Sequence, residues 1–189
     1  MKRLICLIGL SGSLFASFPL SPQEFLGYKL GEKFTYHHQV IDYFEQVANV
    51  TDHVQLLHYG DTYERRPLII AVVTHPENTQ TLEQIRTGHL MNSGLVPGNT
   101  SSQKFAIVWL SYSVHGNESS STEAAMRTLF AFSNTSNKTT MEWLKRTVVI
   151  IDPCINPDGR DRYVQFYTMT GDREPNVSPY TREHQEPWP

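Results

Sequence analysis

The chain has 189 residues, of which 39% are hydrophobic and 19% are charged. This composition fits one globular domain with a sizeable core and excludes intrinsic disorder and a coiled coil. Lysine and arginine total 16 against 19 for aspartate and glutamate, which gives a net charge of −3 without any run of like charges. Nucleic acid and an anionic membrane surface are therefore not expected as partners.

Residues 1–17 predict a secretory signal peptide. Lys2 and Arg3 precede a short apolar stretch, and small residues follow at Ala16 and Ser17, where cleavage is expected. The apolar stretch is short for a bilayer span, so a retained anchor is the less favoured alternative. Once the leader is removed, no membrane association is expected.

The cysteines and the glycosylation sequons predict the compartment. Without the leader, Cys154 is the only cysteine, so the mature chain has no internal disulfide. Export without disulfides suits a bacterial periplasm or exterior. Six Asn-x-Ser/Thr sequons are present, and a glycan on Asn117 would block the candidate site described below. We therefore expect an exported protein, periplasmic or extracellular, from a bacterial host that does not N-glycosylate it.

Hydrophobic periodicity predicts the elements in chain order. Residues 18–33, rich in Pro and Gly, are expected to form an extended lead-in to a single folded part, 34–189. The predicted elements are a helix over 34–48, a hairpin of 54–58 and 68–74 that turns at Gly60-Asp61, a helix over 81–91, a buried strand over 105–110, a helix over 125–132, a helical turn at 141–146 and a buried strand over 147–152. A polar tail follows from residue 170. This order predicts an α/β fold with a mixed, mainly parallel sheet and helices on both faces.

The stretch "YSVHGNESSSTEAA", residues 112–125, places His115 and Glu118 directly after a predicted strand. Ligands of open α/β sheets bind at the carboxyl ends of the strands. A neutral imidazole and a carboxylate are zinc ligands, and a catalytic zinc takes three protein ligands and lowers the pKa of its bound water to about 7. Gly116 allows the turn that brings both side chains together. Taken alone, the pair is more typical of a surface ion pair or of a helix N-terminal carboxylate. Ser120 and Glu123 then predict a capping box for the following helix.

A second motif, "NPDG" at 156–159, follows the next predicted strand. Its residue types predict a tight turn rather than a catalytic group. Arg160 and Arg162, directly after it, could bind a substrate carboxylate, but a solvated position is favoured. Surface or packing roles are predicted for the remaining histidines, which are His37, His38, His53, His58, His75, His89 and His184.

"HGNE" after one buried strand and "NPDG" after the next, together with "YGDTYERRPLIIAVV", resemble the zinc metallocarboxypeptidases of the carboxypeptidase A type. The resemblance covers roughly residues 22–162. It implies that His115 and Glu118 are the first two ligands of one zinc ion. It also implies hydrolysis of C-terminal peptide or related amide bonds by a zinc-activated water. In the family, the third ligand and the general base, a histidine and a glutamate, come much later than residue 189. The chain is therefore expected to be the N-terminal portion of such a catalytic domain, truncated at its C-terminal side.

The resemblance also implies a substrate-binding arginine that follows "NPDG" and polarises the scissile carbonyl. Arg173 is the candidate and Arg182 the alternative. Two rival hypotheses stand beside the enzyme: an inactive truncated product that binds metal weakly, and a metal-free relative that binds peptides. The sequence makes no prediction of the oligomeric state.

Overall fold

A computed structural model describes residues 18–99 and 104–170. The elements are α1 (Pro22–Leu26), α2 (His37–Val50), β1 (Val54–Asp61), β2 (Pro67–Val73), a 3-10 helix (Pro76–Thr81), α3 (Leu82–Asn92), β3 (Ala106–Ser111), α4 (Ser121–Ser133), α5 (Lys138–Leu144), β4 (Thr147–Asp152) and α6 (Pro157–Thr170). Within these two ranges, no helix has the length and apolar character that crossing a membrane requires. The predicted signal peptide lies outside the described residues.

The four strands form one mixed sheet in the order β1-β2-β4-β3. The two pairs β1–β2 and β2–β4 are antiparallel, and β3 pairs parallel to β4. The α/β class and the mixed sheet are confirmed, although parallel pairing is confined to β3 and β4 in the described residues. Parallel pairing is limited in this way because the hairpin of β1 and β2 places β2 antiparallel to β4. Ser111 at the end of β3 lies opposite Asp152 at the end of β4. The loops that follow these two strands therefore leave the sheet side by side.

The main core lies between one face of the sheet and helices α2 and α4. Helix α2 buries five apolar side chains at the spacing of one helical face, Val40, Ile41, Tyr43, Phe44 and Val47. Strand β2 buries every second residue, Ile69, Ala71 and Val73. On β4, Val149 and Ile151 belong to this core. Val148 points to the opposite face and is buried as well, so β4 is covered on both sides, as predicted for a buried strand.

The segment 18–33 is not a wholly extended lead-in. Ser21 and Glu24 form a capping box that starts α1, with Pro22 in its first turn. Phe25 of α1 packs edge-on against Tyr43 of α2, with the ring centroids 5.3 Å apart. This contact makes the segment part of the folded core. Its Pro and Gly content had predicted an extended lead-in instead.

The hairpin is confirmed, but its predicted turn is wrong. Gly60 and Asp61 still pair with β2, after an irregularity in the register at Tyr59. The chain reverses at 62–66 instead, where the Thr62 N–H donates to the Arg66 carbonyl at 2.9 Å. Pairing with β2 thus extends β1 through Gly60 and Asp61, the residues at which the sequence predicted the turn.

Strand β3 is exposed, against the prediction that both of its faces are covered. It pairs with β4 on one side, and it is an edge strand of the sheet that the described residues form. Ile107 and Val108 are both exposed, and Trp109 is 61% exposed. Apolar side chains on both faces of an unpaired edge are a site of self-association.

We predict that the isolated chain self-associates through β3 and that Trp109→Lys reduces this association. A charge on an edge strand opposes pairing with another strand. The measurement is the weight-average mass by sedimentation or light scattering at matched concentrations. Trp143→Lys is the control, because Trp143 is also 61% exposed but lies on helix α5 and not on the edge strand. A monomeric wild-type chain, or an equal effect of both variants, would contradict the prediction.

His37 is buried at the start of α2, where its Nε2–H donates to the Pro67 carbonyl at 2.8 Å. Burial lowers the pKa of His37 below its usual 6.5, against the opposing effects of that hydrogen bond and of the Asp161 charge. Below pH 6.5 the unfolded chain takes up a proton at this site that the folded chain resists. The contribution of His37 to stability is therefore present above that pH and is lost as the pH falls through the lowered folded-state pKa.

We predict that the free energy of unfolding falls between pH 7.5 and pH 5.5 and that His37→Gln reduces this fall. The variant keeps an N–H that can donate to Pro67 but cannot titrate. The measurement is urea-induced unfolding at both pH values. His38→Gln, at the neighbouring exposed position, should retain the wild-type pH dependence. Identical slopes for wild type and His37→Gln would count against the role of His37.

Candidate metal site

The loop between β3 and α4 carries both predicted metal ligands on one compact turn. The Glu118 N–H donates to the His115 carbonyl at 3.2 Å, and the Ser121 N–H donates to the Glu118 carbonyl at 3.2 Å. His115 is half-buried and Glu118 is exposed. The two residues lie beyond the carboxyl end of β3, the edge of the sheet at which they were predicted. Their ability to bind metal stays a prediction.

The "NPDG" motif starts a helix, so the predicted tight turn is wrong. Asn156 Oδ1 accepts a hydrogen bond from the Gly159 N–H at 3.0 Å, and the Arg160 N–H donates to the Asn156 carbonyl at 3.0 Å. Pro157 is the first residue of α6. An Asn cap followed by Pro at the first helical position and an acidic residue in the first turn is a helix-start signal. That signal could have revealed α6, which the sequence analysis missed.

The two motifs are in direct contact. The Ile155 N–H donates to the Tyr112 carbonyl at 3.0 Å, and the Asn156 N–H donates to the Ser113 carbonyl at 3.1 Å. A Cβ atom placed on Gly116 would lie 2.0 Å from the carbonyl carbon of Gly159. Only a residue without a side chain allows this approach. The loop that carries the predicted ligands therefore rests on the first turn of α6.

Arg160 is fully buried, against the prediction of a solvated side chain. Its Nη2 donates to Glu123 Oε1 at 2.5 Å, its Nη1 to the Ser119 carbonyl at 2.7 Å and its Nε to the Thr35 carbonyl at 3.2 Å. The Thr35 N–H also donates to Glu123 Oε1, at 2.7 Å. Glu123 is thus the counter-charge of a buried arginine.

The predicted capping box of α4 is therefore wrong, although the helix does begin at Ser121, directly after Ser120. Ser120 makes no side-chain cap hydrogen bond, and Glu123 is buried and paired with Arg160. A buried guanidinium outcompetes the local backbone for the carboxylate, because an uncompensated buried charge costs far more than an unfilled cap.

The hairpin turn is tied to α6 by an ion-pair network around Arg66. Its Nη1 lies 2.7 Å from Asp158 Oδ1 and its Nε lies 2.8 Å from Asp161 Oδ2, while the Thr62 hydroxyl donates to Asp158 Oδ1 at 2.7 Å. Partial burial opposes ionisation of Asp158, but the hydrogen bonds from Thr62 and Arg66 outweigh it and lower the pKa of Asp158. Arg162 is about half exposed, in line with its predicted solvated position.

Asp152, at the end of β4, is a buried carboxyl group, and Cys154, two residues later, is a buried thiol. Asp152 Oδ2 accepts a hydrogen bond from the Tyr59 hydroxyl at 2.8 Å. Burial raises the pKa of Asp152, although this hydrogen bond acts in the opposite direction. Burial also raises the pKa of the Cys154 thiol to about 11. The thiol is therefore neutral at physiological pH and is not an activated nucleophile.

The chemistry of His115 and Glu118 fits zinc as part of a ligand set. An imidazole and a carboxylate are both zinc ligands, and one tight turn carries the two residues. In residues 18–99 and 104–170, no three His, Cys, Asp or Glu side chains are grouped so that they could hold a metal ion. The predicted arginines Arg173 and Arg182, and His184, lie outside the described residues.

The sequence of the chain matches the model of the zinc carboxypeptidase (peptidase M14) family over residues 40–185. No curated protein matches the chain. Among solved structures, the fold resembles that of thrombin activatable fibrinolysis inhibitor, with a TM-score of 0.52 and 17% identity over 70% of this chain and 28% of that protein. A metallo-carboxypeptidase from Burkholderia cenocepacia gives a TM-score of 0.49 and 14% identity over 67% of this chain and 28% of its own.

The chain thus spans little more than a quarter of the first of these structures. The segment that matches the family model contains both motifs, "HGNE" and "NPDG". The mixed sheet with its helices resembles the fold of thrombin activatable fibrinolysis inhibitor. Because the family model matches most of the sequence, the chain belongs to the zinc carboxypeptidase family.

Proposed function

We propose that this protein is an exported zinc metallocarboxypeptidase that hydrolyses C-terminal peptide bonds or related amide bonds. Family membership supports a peptidase in general. The observation that carries the proposal is the position of His115 and Glu118 on one tight turn beyond the carboxyl end of β3. The chain covers 28% of thrombin activatable fibrinolysis inhibitor, the first solved structure named above, so the activity of the whole enzyme is part of the proposal.

The residues of this chain would bind the metal and leave it open to substrate. His115 and Glu118 would hold the zinc, with a third ligand from another part of the enzyme. Zinc, when bound, supplies a Lewis acid and lowers the pKa of a water molecule. The exposure of Glu118 leaves this side of the loop accessible to a peptide from solvent. Arg173, outside the described residues, is our candidate for binding the scissile carbonyl, with Arg182 as the alternative.

The second candidate function is a metal-free relative that binds peptides. The observation behind it is that the loop after β3 supplies two predicted metal ligands, His115 and Glu118, and a catalytic zinc takes three. A pair of ligands makes a weak zinc site, because affinity depends on the complete and correctly arranged set. In that case the loop would bind peptide without hydrolysing it.

We predict that the complete enzyme, including the part that supplies the third ligand, retains about one zinc per molecule after dialysis and cleaves the last residue from blocked dipeptides that have a free carboxyl terminus. His115→Ala and Glu118→Gln should each remove the metal and lower kcat/KM by at least about 100-fold. Metal content is measured by atomic emission and hydrolysis by release of the free amino acid. The control is His89→Ala, which changes an exposed histidine on α3.

The outcomes separate the two candidates. Loss of metal and turnover in both site variants, but not in His89→Ala, supports the enzyme. A protein without zinc that binds peptides equally well as wild type and as His115→Ala would be the metal-free relative. The intact mass of the secreted product also tests the localisation, since cleavage is expected at Ala16 or Ser17.

A further inference from the structure

We infer that Asn156 and Arg160 are positioning residues that hold the backbone on either side of His115 and Glu118 in the arrangement a metal ion requires. The inference rests on the proposed function and adds a role to the "NPDGR" stretch beyond starting α6. In this inference neither residue touches the metal or the substrate.

The Asn156 side chain has two functions at once. Its Oδ1 accepts a hydrogen bond from the Gly159 N–H at 3.0 Å, which caps α6. Its Nδ2 donates to the carbonyl of Val114 at 3.3 Å, and Val114 directly precedes His115. The same amide group therefore connects the start of the helix to the backbone that orients His115.

Arg160 fixes the other end of the loop. Its Nη1 donates at 2.7 Å to the carbonyl of Ser119, which directly follows Glu118. The guanidinium cannot shift easily, because it is fully buried and also bound to Glu123 and to the Thr35 carbonyl. A planar group with donors in fixed directions transmits its own position to each acceptor. The backbone next to Glu118 is therefore held against a rigid charged anchor.

The middle of the loop is held by close packing. Gly116, between the two predicted ligands, approaches the Gly159–Arg160 backbone so closely that a Cβ atom on it would be 2.5 Å from the Arg160 nitrogen. The loop thus contacts the start of α6 before His115, between the two ligands and after Glu118. Residues that orient metal ligands without touching the metal commonly change its affinity by about 10–100-fold when they are replaced.

The first test is Asn156→Ser. Serine caps helices about as well as asparagine, so α6 should keep its start, while the amide N–H that donates to Val114 is lost. We expect the complete enzyme with this change to bind Zn²⁺ about 10–100-fold more weakly than the wild type, measured by competition with a chromophoric chelator. In the metal-free protein, amide hydrogen exchange at 114–119 should rise and exchange within α6 should stay unchanged.

The matched control is Asn137→Ser. Asn137 caps α5 through its side chain, which accepts a hydrogen bond from the Thr140 N–H at 3.2 Å. This variant makes the same change at a helix start outside the loop and should leave zinc affinity and exchange at 114–119 unaltered. A drop in zinc affinity of equal size in both variants would overturn the positioning role.

The second test is Arg160→Lys, which keeps a positive charge next to Glu123 but lacks the fork that reaches Ser119 and Thr35 together. We expect weaker zinc binding and faster exchange at 114–119. If this variant does not fold, Asn156→Ser decides the question alone.

The outcomes distinguish this inference from the proposed function. If the wild type binds zinc and Asn156→Ser binds it equally well, the positioning role is wrong. Weaker zinc binding accompanied by a general rise in exchange across α6 also overturns it, because the residue would then be purely structural. If the wild type binds no zinc, the proposed function fails, and hydrogen exchange still tests the inference. Raised exchange at 114–119 in Asn156→Ser supports it, and unchanged exchange overturns it.

Discussion

The buried charge of Arg160 is the constraint on which the arrangement around the candidate site depends. A guanidinium removed from water requires a counter-charge and acceptors for its N–H groups, and Glu123, Ser119 and Thr35 supply them. Removing one partner of such a pair typically costs about 3–5 kcal/mol, since the remaining charge is left uncompensated. The segment before α2, the loop after β3 and the starts of α4 and α6 are therefore coupled around one side chain.

The parallel pairing of β3 with β4 brings the coupled segments to the same edge of the sheet. Because the two strands end at the same edge of the sheet, the loop that carries His115 and the start of α6 are adjacent although some forty residues separate them in sequence. The hairpin turn joins the same region through Arg66, which pairs with Asp158 and Asp161 of α6. Two segments distant in sequence, the loop of His115 and the hairpin turn, thus meet at the first turns of α6.

Local patterns predicted the elements with strong periodicity and failed where a tertiary partner competed. Helix α2 and strand β4 follow directly from their apolar spacing, and the loop of His115 and Glu118 was placed at the correct edge of the sheet. The capping box failed because Glu123 has a stronger partner in Arg160 than in its own helix. The exposure of β3 could not be read from "FAIVWL", since an apolar run predicts a strand without specifying what covers it.

The sequence by itself determined the α/β class, the order of most elements and the two motifs that identify the family, because periodicity and residue type are local properties. Only the tertiary structure decided that the helix which begins at "NPDG" contacts the loop of His115 and Glu118. It also decided that Arg160 is buried and that Gly116 lies against Gly159. These features depend on long-range packing and on the compensation of a buried charge, and neither leaves a periodic signal in the chain.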